Sequence, residues 1–393
     1  MWRRLWNIAK RLRNTSPPCA AVFRAVRSPI YRIIGIFAWF FALPHSIFCV
    51  VRKEDRRVLM IYDLTSQPYS VGDILTFQEA GLVLLEKNNC AAVDFALVYN
   101  PARPAAPDPV LSGITEDNYL FHLALILPVA QMNSRLGSLF LFNSHDHLER
   151  FVADNMDRYL VWPSAGTYFS REYLIYRIYH ELLAEYYQKN NRLPALNPRP
   201  NMLSWASDFM HKHVFPFLPV TVQLRKNKVN PGRNSNYDVW LEFFTVCKEQ
   251  YPVKFIIIGA ESEMDERFKR CSNVLMTKDF RAGVEQDLAL INGAAIHMGA
   301  ASGPGSMALF GSKPFLLLNS LSEPLLTMGF IQNGNFARAL FSSPVQQITV
   351  IPETLDMLNE EFKKMWAVLD RELWDKVIKQ PPNNASDIYT WLR

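Results

Sequence analysis

No Asp-x-Asp triplet occurs anywhere in the 393 residues, so a divalent metal bridging a diphosphate through paired carboxylates has no obvious ligand set. Cysteine is scarce. The five thiols, Cys19, Cys49, Cys90, Cys247 and Cys271, are odd in number and scattered, with no CxxC pair and no histidines at zinc-ligand intervals. That excludes a disulfide framework and a structural zinc site, and it fits a reducing compartment. Repeats and low-complexity tracts are missing too, beyond a possible duplication of an α/β architecture. With 49% hydrophobic and 20% charged residues the chain can bury one large core or two ordinary ones, so most of it is folded.

Acidic residues are absent from the first fifty positions, which carry eight of the 42 basic ones; the rest of the chain is slightly acidic. The folded body therefore lacks the spread of cations that a nucleic-acid docking face needs, and no nucleic-acid partner is expected. Residues 1–13 place Trp2, Leu5, Trp6, Ala9 and Leu12 on one helical stripe with Arg3, Arg4, Lys10, Arg11 and Arg13 around the rest, the layout of an interfacial helix on anionic lipid. Residues 33–51 are free of formal charge but interrupted by Pro44, His45 and Ser46, with cations flanking both ends. The segment is borderline for a span, so in-plane and single-pass attachment both stay open, as does a helix packed on the protein's own core. A cleaved signal peptide is not expected, because the apolar run begins too late.

Beyond Arg57 short β-branched runs alternate with helical periods, the pattern of parallel α/β layers. Strands are predicted at 58–62, 93–98, 120–127, 138–142 and 159–161, with helices at 73–87 and 169–188, then a Pro/Asn-rich surface connection at 193–201. A second series has strands at 220–224, 254–258, 273–276, 295–298 and 315–318, separated by helices at 240–250, 262–270, 283–292 and 305–310. Helical periodicity resumes after residue 352.

Four constellations carry chemistry. The run GAASGPGSMALFGSKP at 299–314 follows a strand and enters a helix, so Ser302, Gly303, Gly305 and Ser306 suit a pyrophosphate against free backbone N–H groups. It is not a Walker loop, since no Gly-Lys-Ser/Thr follows, and a packing turn is the plainer reading. Arg225 and Lys226, with Asn227 and Lys228, end the strand that opens the same series; strand carboxyl ends converge on one crevice, so these cations should face the glycine turn. Alone they would be a solvated loop. Asn234 and Asn236 either cap the next helix or bind ligand oxygens. Gly259 and Glu261 end the next strand, Glu261 being placed to accept ribose hydroxyls, and Asp287 is a weaker candidate on the same face. Finally Ser70-Val71-Gly72-Asp73 forms a small-residue turn in which Asp73 is either an N-cap or a general base at the mouth of a cleft. His145-Asp146-His147, read as extended, would put two histidines on one side, but no third metal ligand is evident.

The Ser70-Val71-Gly72-Asp73-Ile74-Leu75 turn resembles the Ser-x-Gly-Asp-Val turn of bacterial lipopolysaccharide heptosyltransferases. The second series, with Arg225 and Lys226, then Gly259 to Glu261, then Ser302-Gly303, is similar to the donor half of that GT-B clan, in order and spacing over 58–319. The resemblance implies Asp73 as base, Arg225 and Lys226 as phosphate ligands, Glu261 as nucleoside ligand and Ser302 to Gly305 as the phosphate turn. One departure stands out: those enzymes carry Asp-Thr-Gly followed by His, where this chain has Ala301-Ser302-Gly303 and then Ser306-Met307. The expected donor sugar is therefore left open.

The expected architecture is α/β: two Rossmann-like domains facing across a cleft (GT-B) behind an N-terminal membrane-associated helical segment. The expected divisions are 1–56 for that segment, 57–215 for an acceptor-side domain with a helical linker, 216–340 for the nucleotide-sugar domain and 341–393 for C-terminal helices. The expected function is metal- and cofactor-independent, inverting sugar transfer from a nucleotide sugar to a lipid-linked or cell-surface glycan of the bacterial envelope, as in polysaccharide biosynthesis. The catalytic body would lie on the cytoplasmic side of the cell membrane. A catalytically inactive, membrane-attached nucleotide-sugar-binding or assembly protein is the alternative, left open by the missing Asp-Thr-Gly and His.

Overall fold

Arg57–Asp63 (β1) reads RVLMIYD and is buried at every position after the first, which is how an unalternating apolar run behaves in the middle of a parallel sheet covered on both faces. It pairs in parallel with Val93–Val98 (β2) and with Tyr159–Trp162 (β4), and Leu136–Phe142 (β3) closes the sheet in the order β3-β2-β1-β4. The computed structural model describes residues 56–64, 67–99, 117–164, 175–228, 231–320 and 330–369. All of these belong to one compact body, Arg56–Arg393. The segment expected at the membrane, up to residue 55, and the chain after residue 369 lie outside the described residues. No helix among the described residues is long and apolar enough to cross a membrane.

Helix α1 (Val71–Lys87) covers one face of this sheet and α3 (His145–Asp154) the other, with α2 (Tyr119–Ile126) between β2 and β3. At the amino end of the sheet Arg57 grips the buried Asp94 carboxylate through Nε and Nη2 (2.7 and 2.5 Å), and Tyr159 donates to it at 2.8 Å. Gly137 leaves room for the Arg57 guanidinium, which a Cβ there would strike at 1.7 Å.

After α4 (Ile175–Asn190) and α5 (Pro200–His213) the chain builds a second sheet from β5 (Leu218–Gln223), β6 (Val253–Ile258), β7 (Val274–Met276), β8 (Ile296–Ala300), β9 (Phe315–Leu318) and β12 (Gln346–Thr349). These six are parallel, in the order β7-β6-β5-β8-β9-β12, which is the doubly wound order. A short antiparallel hairpin, β10 (Ile331–Asn333) and β11 (Phe336–Arg338), extends the edge beyond β12. Connections α6 (Tyr237–Gln250), α7 (Val284–Gly293), α8 (Gly305–Leu309) and the final α9 (Leu355–Ala367) pack on its faces. Trp240, Phe243, Phe244, Phe255 and Phe362 form the centre of the outer core. The inner core is continuous, running from Met60, Phe77 and Phe95 through Phe209 on α5 to Leu288 on α7 and Met307 on α8.

The strand order reverses between β5 and β8, and there Gln223 pairs with Gly299. Gly299 takes φ +133°, and a Cβ on it would lie 1.9 Å from the Gln223 carbonyl oxygen, so the tight pairing at the reversal point depends on a bare backbone.

Several expectations are corrected. Residues 120–127 are not a strand but α2 and the start of a 3-10 turn, Leu127–Met132; a stretch of eight that is apolar at all but His122 carries no period to separate the two states. The helix predicted at 262–270 is two 3-10 turns, Glu261–Glu263 and Glu266–Arg270, broken where Asp265 caps the second by accepting from the Arg267 N–H. His145-Asp146-His147 is the first turn of α3, capped by Ser144, rather than an extended segment. The surface connection read at 193–201 ends as α5 begins, with Pro200 at its first position.

Candidate active site

Two turns meet at the carboxyl ends of the sheets. The first turn of α1 brings Gly72 against Gly303: a Cβ on Gly72 would lie 3.0 Å from the Gly303 Cα and 3.1 Å from the Ser306 hydroxyl. A Cβ on Gly303 would in turn lie 3.0 Å from the Gly72 nitrogen. Glycine at both positions lets the backbones touch. Asp73, the next residue, is half-buried in the same first turn of α1. The turn between β8 and α8 thus stands beside the carboxylate that follows β1. Gly303→Ala is expected to lower the unfolding free energy by about 1–3 kcal/mol in urea melts, because a methyl group must push two backbones apart.

Within the second turn, the N–H of Gly305 bonds to the Ser302 carbonyl (3.0 Å) and that of Ser306 to the Gly303 carbonyl (3.2 Å), so those two donors are satisfied internally. Among the described residues no acceptor serves the N–H groups of Ser302 and Gly303. The Ser302 hydroxyl donates to the Gln223 side chain at the strand-order reversal. Gly305 packs on Leu317, which a Cβ would meet at 2.9 Å. Helix α8 has only five residues, so its peptide dipole adds little and the two unserved N–H groups are the feature that suits an anion.

One cation, Arg233, reaches the same turn from the β5–α6 loop, with Arg225 behind it in that loop. Arg233 donates from Nη2 to the Ala301 carbonyl and from Nε to the Asn319 carbonyl at 3.2 Å, tying its loop to the ends of β8 and β9. Arg225 donates from Nη1 to Asn234 Oδ1 at 2.9 Å. Burial pulls both guanidiniums below the usual arginine range; for Arg233 the charge of Arg225 adds to the effect, and for Arg225 Glu263 opposes it. A desolvated Arg233 at the turn that bears the unserved N–H groups, repelled by the charge of Arg225, favours an anion there.

The remaining candidates divide. Asn234 pins the loop: its Oδ1 also accepts from the Asn227 N–H (2.9 Å) and its Nδ2 donates to the Asn227 carbonyl. Asn236 caps α6, its Oδ1 accepting from the N–H groups of Asp238 and Val239. Lys226 is exposed, its ammonium 5.6 Å from the Tyr237 ring centroid. Glu261 is exposed as well. Glu263 is the carboxylate that folds inward, accepting from the N–H groups of Ala260 (3.3 Å) and Lys226 (3.4 Å), and burial lifts its carboxyl above the ordinary range against those bonds and Arg225. Asp287 is buried under Gly259, accepting from its N–H at 3.2 Å and from Lys278 at 2.8 Å. It braces the turn at Gly259, which sits at φ +125°.

Sequence reasoning missed Arg233, Glu263 and Glu353. The last is buried and collects the Asn236 N–H (2.6 Å), the Trp240 indole N–H (3.3 Å) and the Asn319 amide (2.6 Å), holding the β5–α6 loop to β9. A signal for Arg233 existed in Pro231-Gly232-Arg233, a turn that delivers a cation back toward the sheet. Among the described residues no three His, Cys, Asp or Glu side chains gather as metal ligands. His145 is engaged with Asp63, and His147 is exposed beside Asn143. A cavity of about 460 Å³ lies away from this site, walled by β9, β12 and α9 residues such as Phe315, Gln347 and Met365.

No protein-family model matches the sequence, and no curated protein matches it; the likeness that exists is structural. The ADP-heptose lipopolysaccharide heptosyltransferase II of E. coli superposes with a TM-score of 0.50 at 11% identity, over 79% of this chain and 98% of that one. A glycosyl transferase family 9 protein of Veillonella parvula gives 0.48 at 11% identity, over 87% and 98%. The E. coli heptosyltransferase WaaC with ADP gives 0.43 at 11% identity, over 78% and 99%. The chain has an α/β fold with parallel sheets similar to that of the heptosyltransferase.

Proposed function

We propose that this chain is a glycosyltransferase of the GT-B type, its two sheets belonging to two Rossmann-like halves. It would transfer a sugar from a nucleotide donor to a hydroxyl of a glycan or lipid-linked acceptor, with inversion and without a metal. The observation that carries the reading is the meeting of the Asp73 turn with the Ser302-Gly303 turn, on which Arg233 closes. In the transfer the acceptor oxygen bonds to the anomeric carbon while the bond from that carbon to the diphosphate oxygen breaks. Asp73 takes the acceptor proton, and the leaving diphosphate carries away the electron pair. Its growing charge would be met by the two guanidiniums and by the N–H groups of Ser302 and Gly303, donors already fixed before reaction. Gly72 and Gly303 are in contact, so the diphosphate would lie alongside them, toward the Arg225–Arg233 loop.

The nucleoside would extend past Gly259 toward Glu261 and Glu263, where carboxylates can accept ribose hydroxyls. The basic, tryptophan-bearing first fifty residues support attachment to anionic lipid, with a membrane-borne acceptor as its purpose. Ala301-Ser302-Gly303, in place of Asp-Thr-Gly, favours one rival: a scaffold that binds nucleotide sugar without turning it over. Incubation with ADP-, GDP- and UDP-linked sugars separates the two. A transferase releases nucleoside diphosphate slowly even with water as acceptor, whereas a binding protein releases none with any donor.

A further inference from the structure

A patch of aromatic and cationic side chains lies on the second half, built from residues that the donor site does not use. The turn from α5 into β5 reads His213-Val214-Phe215-Pro216-Phe217-Leu218. Val214 and Leu218 are buried, and the N–H groups of Phe215 and Phe217 donate to the carbonyls of Met210 and Val214, both at 3.0 Å, so the turn is anchored at each end. Between these anchors Phe215 and Phe217 stay 37% and 46% exposed. Phe280, which closes the 3-10 turn Thr277–Phe280, is a third exposed ring, its centroid 4.5 Å from that of His213.

Cations stand among these rings. The Lys254 ammonium lies 5.9 Å from the Phe217 ring centroid, and His211 stacks on Phe215 with centroids 5.9 Å apart. Burial lowers the His213 imidazole below the usual histidine range, and the charges of Lys212 and Lys254 lower it further, so both lysines act on the ring that touches Phe280. Arg281, exposed, follows Phe280 in the chain. The one acid on α5 is Asp208, and Asp279 is taken by Lys269 at 3.2 Å. Lys212, Lys254 and Arg281 have no carboxylate ion-paired to them among the described residues.

Exposed rings held on an anchored turn call for an apolar partner, and unpaired cations beside them for an anionic one. An anionic lipid surface supplies both in one layer: rings enter the boundary between headgroups and acyl chains, and ammonium groups meet the phosphates. A second copy would bring the same cations into the interface, where they repel.

We propose that Phe215, Phe217 and Phe280, with Lys212 and Lys254, dock the folded body onto anionic lipid. This contact is additional to any made by the first fifty residues, and it stands whether or not the chain transfers sugar. The test places dansylalanine at position 217 of the full chain by stop-codon suppression. Vesicles of phosphatidylcholine, with or without phosphatidylglycerol, are then titrated in. The emission is expected to brighten and shift to the blue only where phosphatidylglycerol is present. Lys212→Ala and Lys254→Ala should each raise the lipid concentration at half-shift about fivefold, the worth of one cation near such a surface, with the melting point unchanged. If the probe at 217 prevents folding, the same probe at position 215 reads the same contact. A chain that sediments with the vesicles while the probe stays unmoved would overturn this inference alone, leaving lipid attachment to the first fifty residues. No sedimentation at all would defeat both. An equal shift with phosphatidylcholine alone would contradict the role of the lysines. A shift that appears without lipid as protein concentration rises would give the patch to a second copy and overturn the proposal.

Discussion

Asp73→Asn is expected to reduce sugar transfer by about 10²- to 10⁴-fold, the usual contribution of a positioned general base, while nucleoside diphosphate affinity stays within twofold. The asymmetry follows from placement. Asp73 belongs to the first turn of α1, and the groups proposed to hold the anion all come from the other half: Arg225 and Arg233 from the β5–α6 loop, the Ser302 and Gly303 amides from the β8–α8 turn. Asparagine keeps the size and shape of the side chain and loses only its charge near a helix start, worth ~0.3–1 kcal/mol of stability. Calorimetric titration of ADP, GDP and UDP, run beside a nucleotide-release assay on the same preparation, reads both quantities. Equal loss of binding and turnover would place Asp73 in the donor site instead. Unaltered turnover would remove it from the reaction.

Glu79→Leu is expected to stabilise the protein markedly at neutral and alkaline pH. Glu79 lies on α1, wholly buried, and neither carboxylate oxygen has a hydrogen-bond partner among the described residues. Burial, with the charge of Glu86 adding to it, holds its carboxyl well above the ordinary range. The folded state therefore keeps a proton that the unfolded chain releases above ~pH 4.3. Because the folded form binds more protons there, stability is full below that pH and falls as pH rises toward the native value, by up to ~1.4 kcal/mol per pH unit. Leucine removes this slope and the unpaired polar group together, the latter worth ~1–3 kcal/mol. Urea melts from pH 4.5 to 8.5 check it: the gap between variant and wild type should widen steadily with pH. A gap that shrinks would show that Glu79 is ionised and paired in the fold.

The strands were legible because buried parallel strands need long apolar runs, and FLLL at 315–318 or VDFALV at 93–98 admit little else. Where an apolar run lay outside the sheet the same cue misled. YLFHLALI forms α2 and leaves Leu120, Phe121 and Leu125 exposed, so burial did not select its state. Helix α5 was hidden by its prolines, although proline at a first helical position is favourable, its fixed φ matching the helix and its missing N–H costing nothing there. The hairpin β10–β11 has three-residue strands, the first of them exposed throughout, which leaves no periodicity to detect.

At the site the glycine turn and the cation loop were readable from spacing, since strand carboxyl ends gather on one side. Which side chains point inward was not. Glu261 and Glu263 are two residues apart, and only the 3-10 turn decides that Glu263 folds onto the backbone of Ala260 and Lys226. Arg233 lies beyond the obvious basic run and reaches the glycine turn only because Glu353, from far along the chain, holds the loop that carries it.

The anion site is tested most directly by thermal unfolding with ADP, GDP, UDP and CDP, and with the corresponding nucleosides as controls, on wild type and Arg233→Ala. A diphosphate at a hundred times its dissociation constant should add about 2.7 kcal/mol of stability, a melting-point rise of roughly 4 °C for a body of this size. The account predicts such a rise with at least one diphosphate, little with its nucleoside, and loss of most of it in Arg233→Ala. No rise with any diphosphate, or a rise that Arg233→Ala leaves intact, would contradict it.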